Sequence, residues 1–258
     1  MELDFFQVDA FSESVFGGNP AAVIMLESSL EDDILQMIAN ENNLSETAFM
    51  MALDNGDYSL RWFTPTAEVD LCGHATLASA HVLFNYYNAA ISINFITRSG
   101  KLFAEQADKK IKLDFPSRGP HRVDKSLYES LTSIKPQEVW ESRDLMMVFN
   151  NEAEVIEIIP DLVKINEIDN LGVIVTAPGK HSDFVSRFFA PKVGVPEDPV
   201  TGSAHSTLVP YWSDRLGKTK LSAMPLSKRK GFLECELVGD RVKISGNSVT
   251  VIKGTFHL

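Results

Sequence analysis

Four short blocks of this chain return in the same order about half a chain later, and that duplication constrains its fold more than any other feature. Arg61-Trp62-Phe63-Thr64-Pro65 returns as Arg187-Phe188-Phe189-Ala190-Pro191, and Cys72-Gly73-His74-Ala75 as Thr201-Gly202-Ser203-Ala204. Gly100-Lys101-Leu102-Phe103 returns as Gly231-Phe232-Leu233-Glu234, and Lys110-Ile111-Lys112-Leu113 as Arg241-Val242-Lys243-Ile244. The offset drifts only from 126 (187 minus 61) to 131 (241 minus 110). The reading is two homologous halves with a boundary near Pro116 to Pro120.

Within each half the pattern is mostly strand. Phe5 to Val8, Ala21 to Leu26 and Glu46 to Leu53 are short apolar runs, and Tyr58 to Phe63 alternates. Asp54-Asn55-Gly56-Asp57 carries the Asn-Gly signal of a tight hairpin. Ser29 reads as the N-cap of a helix whose first turn holds Glu31, Asp32 and Asp33, with Ile34, Leu35, Met37 and Ile38 on its apolar face. Gly73 to Phe84 is different: small and apolar on nearly every side, it predicts a helix buried all round. Each half is then a strand-rich wrap around one enclosed helix.

Composition excludes several classes. The chain has 258 residues, 44% hydrophobic and 23% charged, which suits a globular protein with a real core. A net charge of -11 opposes phosphate backbones and argues against nucleic acid. Lys228-Arg229-Lys230 reads as a solvated edge. Two distant cysteines, Cys72 and Cys235, fit a reducing compartment. The acidic start and the lack of a long apolar run predict a cytoplasmic protein with no membrane contact. The six histidines are scattered, and no Cys-x-x-Cys or His-Glu-x-x-His spacing predicts a metal. No phosphate-binding glycine loop and no Gly-x-Ser-x-Gly elbow occurs, so no cofactor is expected and a hydrolase is unsupported.

Acid–base chemistry on an anion remains. The two duplicated helices present Gly73-His74 and Gly202-Ser203 at their starts, where free N–H groups and the dipole attract a carboxylate. The same glycines read equally as packing for a buried helix. His74 in a first turn is expected neutral, because the dipole disfavours imidazolium. Asp198 lies just before the second helix, as ligand contact or cap. Glu46 stands where a helix gives way to an apolar strand, and desolvation there suits a general base. Cys72 precedes a helix, where a thiolate is favoured. Its repeat partner is Thr201, so no symmetric two-thiol site exists.

The chain resembles the phenazine-biosynthesis PhzF-like family in Gly18-Asn19-Pro20-Ala21, Asn43 to Phe49, Arg61 to Pro65, Cys72 to Leu77 and Glu197 to His205. The blocks keep family order over almost the whole chain. It departs in Arg229-Lys230-Gly231, where the family often shows Arg-Gly-Gly. The resemblance implies an α+β, diaminopimelate-epimerase-like fold of two pseudo-symmetric domains. Each would be a β-barrel around a central helix, with the active site between them. The domains would be 1–117 with 248–258, and 118–247. It implies a homodimer and a cofactor-independent isomerase acting on a small carboxylate-bearing molecule. Glu46 would shuttle the proton, His74 and Asp198 would flank the substrate, and Asn19, Ser45, Gly73, Gly202 and Ser203 would bind it. Two other classes stay open. One is a non-catalytic binding protein on the same fold; the other is an amino-acid epimerase using Glu46 with Cys72.

Overall fold

The computed structural model describes residues 1–258, which form a mixed, mostly stranded architecture divided into two compact units. The first comprises Met1–Asp114 with Ser245–Leu258, and the second Phe115–Ile244.

The first unit runs β1 (Glu2–Ala10), β2 (Asn19–Leu26), α1 (Asp32–Asn42), β3 (Glu46–Ala52), β4 (Tyr58–Phe63), β5 (Glu68–Val69), α2 (Gly73–Tyr86), β6 (Ser92–Thr97), β7 (Gly100–Ala107) and β8 (Lys110–Pro116). The second runs β9 (His121–Val123), β10 (Glu138–Glu141), β11 (Leu145–Val148), α3 (Glu152–Glu157), α4 (Leu162–Glu167), β12 (Val173–Pro178), β13 (Phe184–Ala190), β14 (Val195–Asp198), α5 (His205–Leu216), β15 (Lys220–Pro225), β16 (Leu233–Val238) and β17 (Arg241–Gly246). The chain closes with β18 (Ser248–His257), which pairs antiparallel with β1 from Glu2↔His257 to Ala10↔Ser248.

In the first unit β1 pairs antiparallel with β2, and β2 lies parallel to β3 with Ala21 opposite Glu46. Parallel neighbours need a crossover, and α1 supplies it. Its Leu35, Ile38 and Ala39 pack on Leu3, Ile24, Leu26, Phe49 and Phe63. The helix starts at Asp32 with Glu31 as N-cap, not at the expected Ser29, and no side chain caps it. The Glu31 carbonyl accepts from Ile34 and Leu35, so the turn closes on the acidic run itself. Asn43 ends α1 at φ 48°, a left-handed residue that asparagine tolerates, and turns the chain into β3. The Asn-Gly hairpin joins β3 to β4.

Helix α2 is buried along most of its length and touches β1, β2, β3, β7 and β18. Its alanines let strand backbones approach on every side. In the second unit α5 is equally enclosed, although Pro210 sits inside it. Proline donates no hydrogen bond to the carbonyl of Ser206. The backbone N–H of Arg118 fills that acceptor at 2.8 Å, so the interruption leaves no orphan. The Trp212 ring stacks on Phe184 with centroids 5.8 Å apart, and its indole N–H donates to the Thr176 hydroxyl.

One local device recurs in both units. Arg61 forks onto Glu68 at 2.8 and 2.9 Å and lies over Phe63. Arg187 forks onto Glu197 at 2.8 and 3.0 Å and lies over Phe189. Each clamp ties two antiparallel strands, β4 to β5 and β13 to β14, ahead of the enclosed helix.

Candidate active site

The first unit gathers three reactive side chains that lie far apart in sequence. Glu46 is the first residue of β3 and its side chain is 12% exposed. His74 sits in the first turn of α2, 2% exposed. Its Nε2 lies 3.0 Å from Glu46 Oε2, at ion-pair distance but without the alignment of a hydrogen bond, and neither atom has another protein partner. Its Nδ1 lies 3.5 Å from the Cys72 thiol. Asn19 opens β2 and is fully buried. The β2–β3 register places it two residues beyond the Ala21–Glu46 pair, at the same end of the sheet. Ser45 directly precedes Glu46.

The charge state of His74 departs from the sequence expectation. Burial opposes imidazolium, yet the negative charges available on Cys72 and Glu46 outweigh it, and the His74 pKa stands well above its usual value. Desolvation pushes the Cys72 thiol up to about 11. The thiol is therefore protonated near neutrality. The helix start does not make Cys72 a thiolate, because burial exceeds what the dipole supplies. The result is a largely buried contact between a carboxyl group and an imidazole, where electrostatic interactions are strong.

The second unit holds Asp198, Gly202 and Ser203. Asp198 ends β14, is 8% exposed, and accepts from the Thr201 hydroxyl at 2.5 Å. Gly202 and Ser203 do not open α5 as expected. The helix begins at His205, and the preceding residues form tight i→i+3 turns, with His205 N–H on Gly202 O and Ser206 N–H on Ser203 O. Ser203 has a neighbour that no sequence pattern revealed: Arg143 donates to its hydroxyl oxygen at 3.1 Å. Arg143 also forms an ion pair at 2.8 Å with Asp144, which is 1% exposed. A guanidinium can only donate, so the Ser203 hydroxyl proton stays available for an acceptor. Polarised by a cation, it is a strong donor toward an anion.

An uncharacterized isomerase of Pseudomonas aeruginosa is 50% identical over 261 residues, covering all of both chains. The crystal structure of a PhzF-family phenazine biosynthesis protein from Enterococcus faecalis superimposes with a TM-score of 0.96 at 48% identity, again covering both chains completely. A probable proline racemase from Agrobacterium radiobacter shares the fold at TM-score 0.67 and 10% identity, over 99% of this chain and 93% of that one. Residues 8–254 match the family described as phenazine biosynthesis-like protein, and the chain belongs to that family.

Proposed function

We propose that the protein is an isomerase that moves a proton on a small carboxylate-bearing molecule without a cofactor. The supporting observation is the Glu46–His74 contact: a carboxyl group at a strand mouth, 3.0 Å from a buried imidazole whose pKa the neighbouring Cys72 and Glu46 raise well above its usual value. Such a pair can take a proton from one carbon and return it to another. General acid–base catalysis of this kind contributes about 10²–10⁴-fold. The naming of the Pseudomonas aeruginosa relative as an isomerase supports the same reaction class.

In this reading Glu46 is the shuttle. His74 stabilises its carboxylate and donates to negative charge developing on the substrate. Asp198, steadied by Thr201, accepts from a polar substrate group. In the first unit the backbone N–H at Gly73, with Asn19 and Ser45, provides groups that hold a substrate beside Glu46; in the second unit Gly202 and the Ser203 hydroxyl that Arg143 polarises provide donors for an anion. An epimerase using Cys72 as a second base is the weaker reading, because that thiol stays protonated at neutral pH.

The test is a thermal-shift and crystal-soak screen of small carboxylates and cyclic amino acids, run on wild type and Glu46→Gln. A ligand that stabilises both proteins, sits at Glu46 and is altered only by wild type supports the proposal. Binding without chemical change in wild type would favour a non-catalytic binding protein, and no binding at all would remove the anion site.

A further inference from the structure

Glu46, Cys72 and His74 bring together a carboxylate, a thiol and an imidazole whose ligand atoms all lie within 4.8 Å of one another. A tetrahedral zinc ion with bonds of 2.0–2.3 Å sets its ligand atoms about 3.3–3.6 Å apart. Cys72 Sγ and His74 Nδ1 already stand at 3.5 Å. The widest separation therefore has to close by no more than about 1.3 Å. The Glu46 carboxylate can supply that movement. It hangs on a flexible stem, is the most exposed of the three, and is not locked to His74 by an aligned hydrogen bond. Cys72 and His74 are fixed by the first turn of α2, so two ligands are preorganised and the third swings in.

The geometry points to a reversible binding site for a thiophilic divalent cation, with zinc as the fitting ion, formed by Glu46, Cys72 and His74. Thiolate and imidazole select zinc over calcium or magnesium. Three protein ligands leave a fourth position for water on the side where Glu46 reaches the surface. On binding, the Cys72 S–H bond breaks, a zinc–sulfur bond forms and the proton passes to buffer. His74 gives the proton on its metal-facing nitrogen to buffer as well. No electron transfer is involved. Occupancy takes Glu46 and His74 out of service, so the ion is an inhibitor; that consequence rests on the proposed isomerase, whereas binding itself does not.

The experiment is a titration of the intact protein with zinc ions against a chromophoric chelator, alongside a cadmium titration followed by the ultraviolet thiolate-to-cadmium absorption band. One ion per chain is expected, with the cadmium band present. Cys72→Ala should abolish the band, and both Cys72→Ala and Glu46→Gln should weaken zinc binding at least tenfold. Cys235→Ala, which removes the other buried thiol, should change neither. Should Cys72→Ala fail to fold, Cys72→Ser must lose the band and Glu46→Gln carries the affinity comparison. Absence of zinc binding at micromolar concentration, survival of the band without Cys72, or an affinity indifferent to Glu46 would each overturn the site. If metal binds as expected while no carboxylate is turned over, the isomerase reading fails and the metal site stands.

Discussion

Arg187 is the side chain whose removal should cost the second unit most. Its guanidinium forks onto Glu197 and donates to the carbonyls of Val155 at 3.0 Å, Ile156 at 3.3 Å and Ile158 at 2.9 Å. Those carbonyls end α3, where the last turn lacks intrahelical partners and a cation is favourable. The arginine is 12% exposed, so solvent cannot replace what it supplies. Arg187→Met keeps the apolar stem over Phe189 and removes only the donors. Breaking a buried charged network costs about 3–5 kcal/mol. At roughly 2–4 °C per kcal/mol for chains of this size, the melting temperature should fall by on the order of 10 °C. Arg61→Met is the internal control. Arg61 makes the same fork, but it is 29% exposed and its further acceptor, Asp32, is 75% exposed. Its loss should cost about 1–2 kcal/mol. Calorimetry, with tryptophan fluorescence as a second probe, measures both. Equal shifts for the two variants, or a shift of only about 2 °C for Arg187→Met, would refute the reasoning.

Two further predictions follow from the second unit. Burial lowers the His205 pKa to about 4, only partly opposed by its contacts with Thr201 and Gly202. Its folded pKa lies below the usual 6.5, so its contribution is intact above that value and lost as pH falls toward 4. The loss amounts to at most about 3.5 kcal/mol, at about 1.4 kcal/mol per pKa unit. His205→Gln keeps a donor for Thr201 and does not titrate, so urea unfolding of that variant should show a shallower loss over pH 6.5 to 4; an unchanged pH profile contradicts this. Arg143→Met should weaken carboxylate binding about tenfold by depolarising Ser203, and should add little once Ser203→Ala is present. Calorimetric titration of the four proteins in that double-mutant cycle decides it, and additive losses would mean that the two residues act separately.

The parts of this chain that read well from sequence are those whose cause is local. The small-residue run from Gly73 names α2 because only an enclosed helix wants alanine on every face. The Asn-Gly pair names the hairpin because Gly56 takes the left-handed φ of 83° that the turn needs. Glu46 stood out because a carboxylate at an apolar strand is costly, and the structure sets it at the head of β3. What sequence could not show are consequences of tertiary approach. The raised pKa of His74 comes from Cys72 and from Glu46, 28 positions earlier in the chain, against the helix dipole that was the only visible influence. The cation-ligand triangle escapes any spacing rule for the same reason. Arg143 carries no motif, and it stands 60 positions from the Ser203 it meets inside the second unit. The late start of α5 reflects tight turns that Thr201-Gly202-Ser203 accommodates, whereas the equivalent glycine of α2 is already helical.

The most direct test of the proton shuttle is deuterium exchange. Wild type and Glu46→Gln are incubated in heavy water with each carboxylate that binds, and proton NMR follows the carbon-bound hydrogens of the ligand. The proposal predicts that wild type exchanges a single carbon-bound hydrogen in at least one of them. It predicts that Glu46→Gln, binding the same compound, exchanges it at least a hundredfold more slowly, the lower end of what a general base contributes. Exchange at the wild-type rate in Glu46→Gln would contradict the assignment of Glu46 as the base.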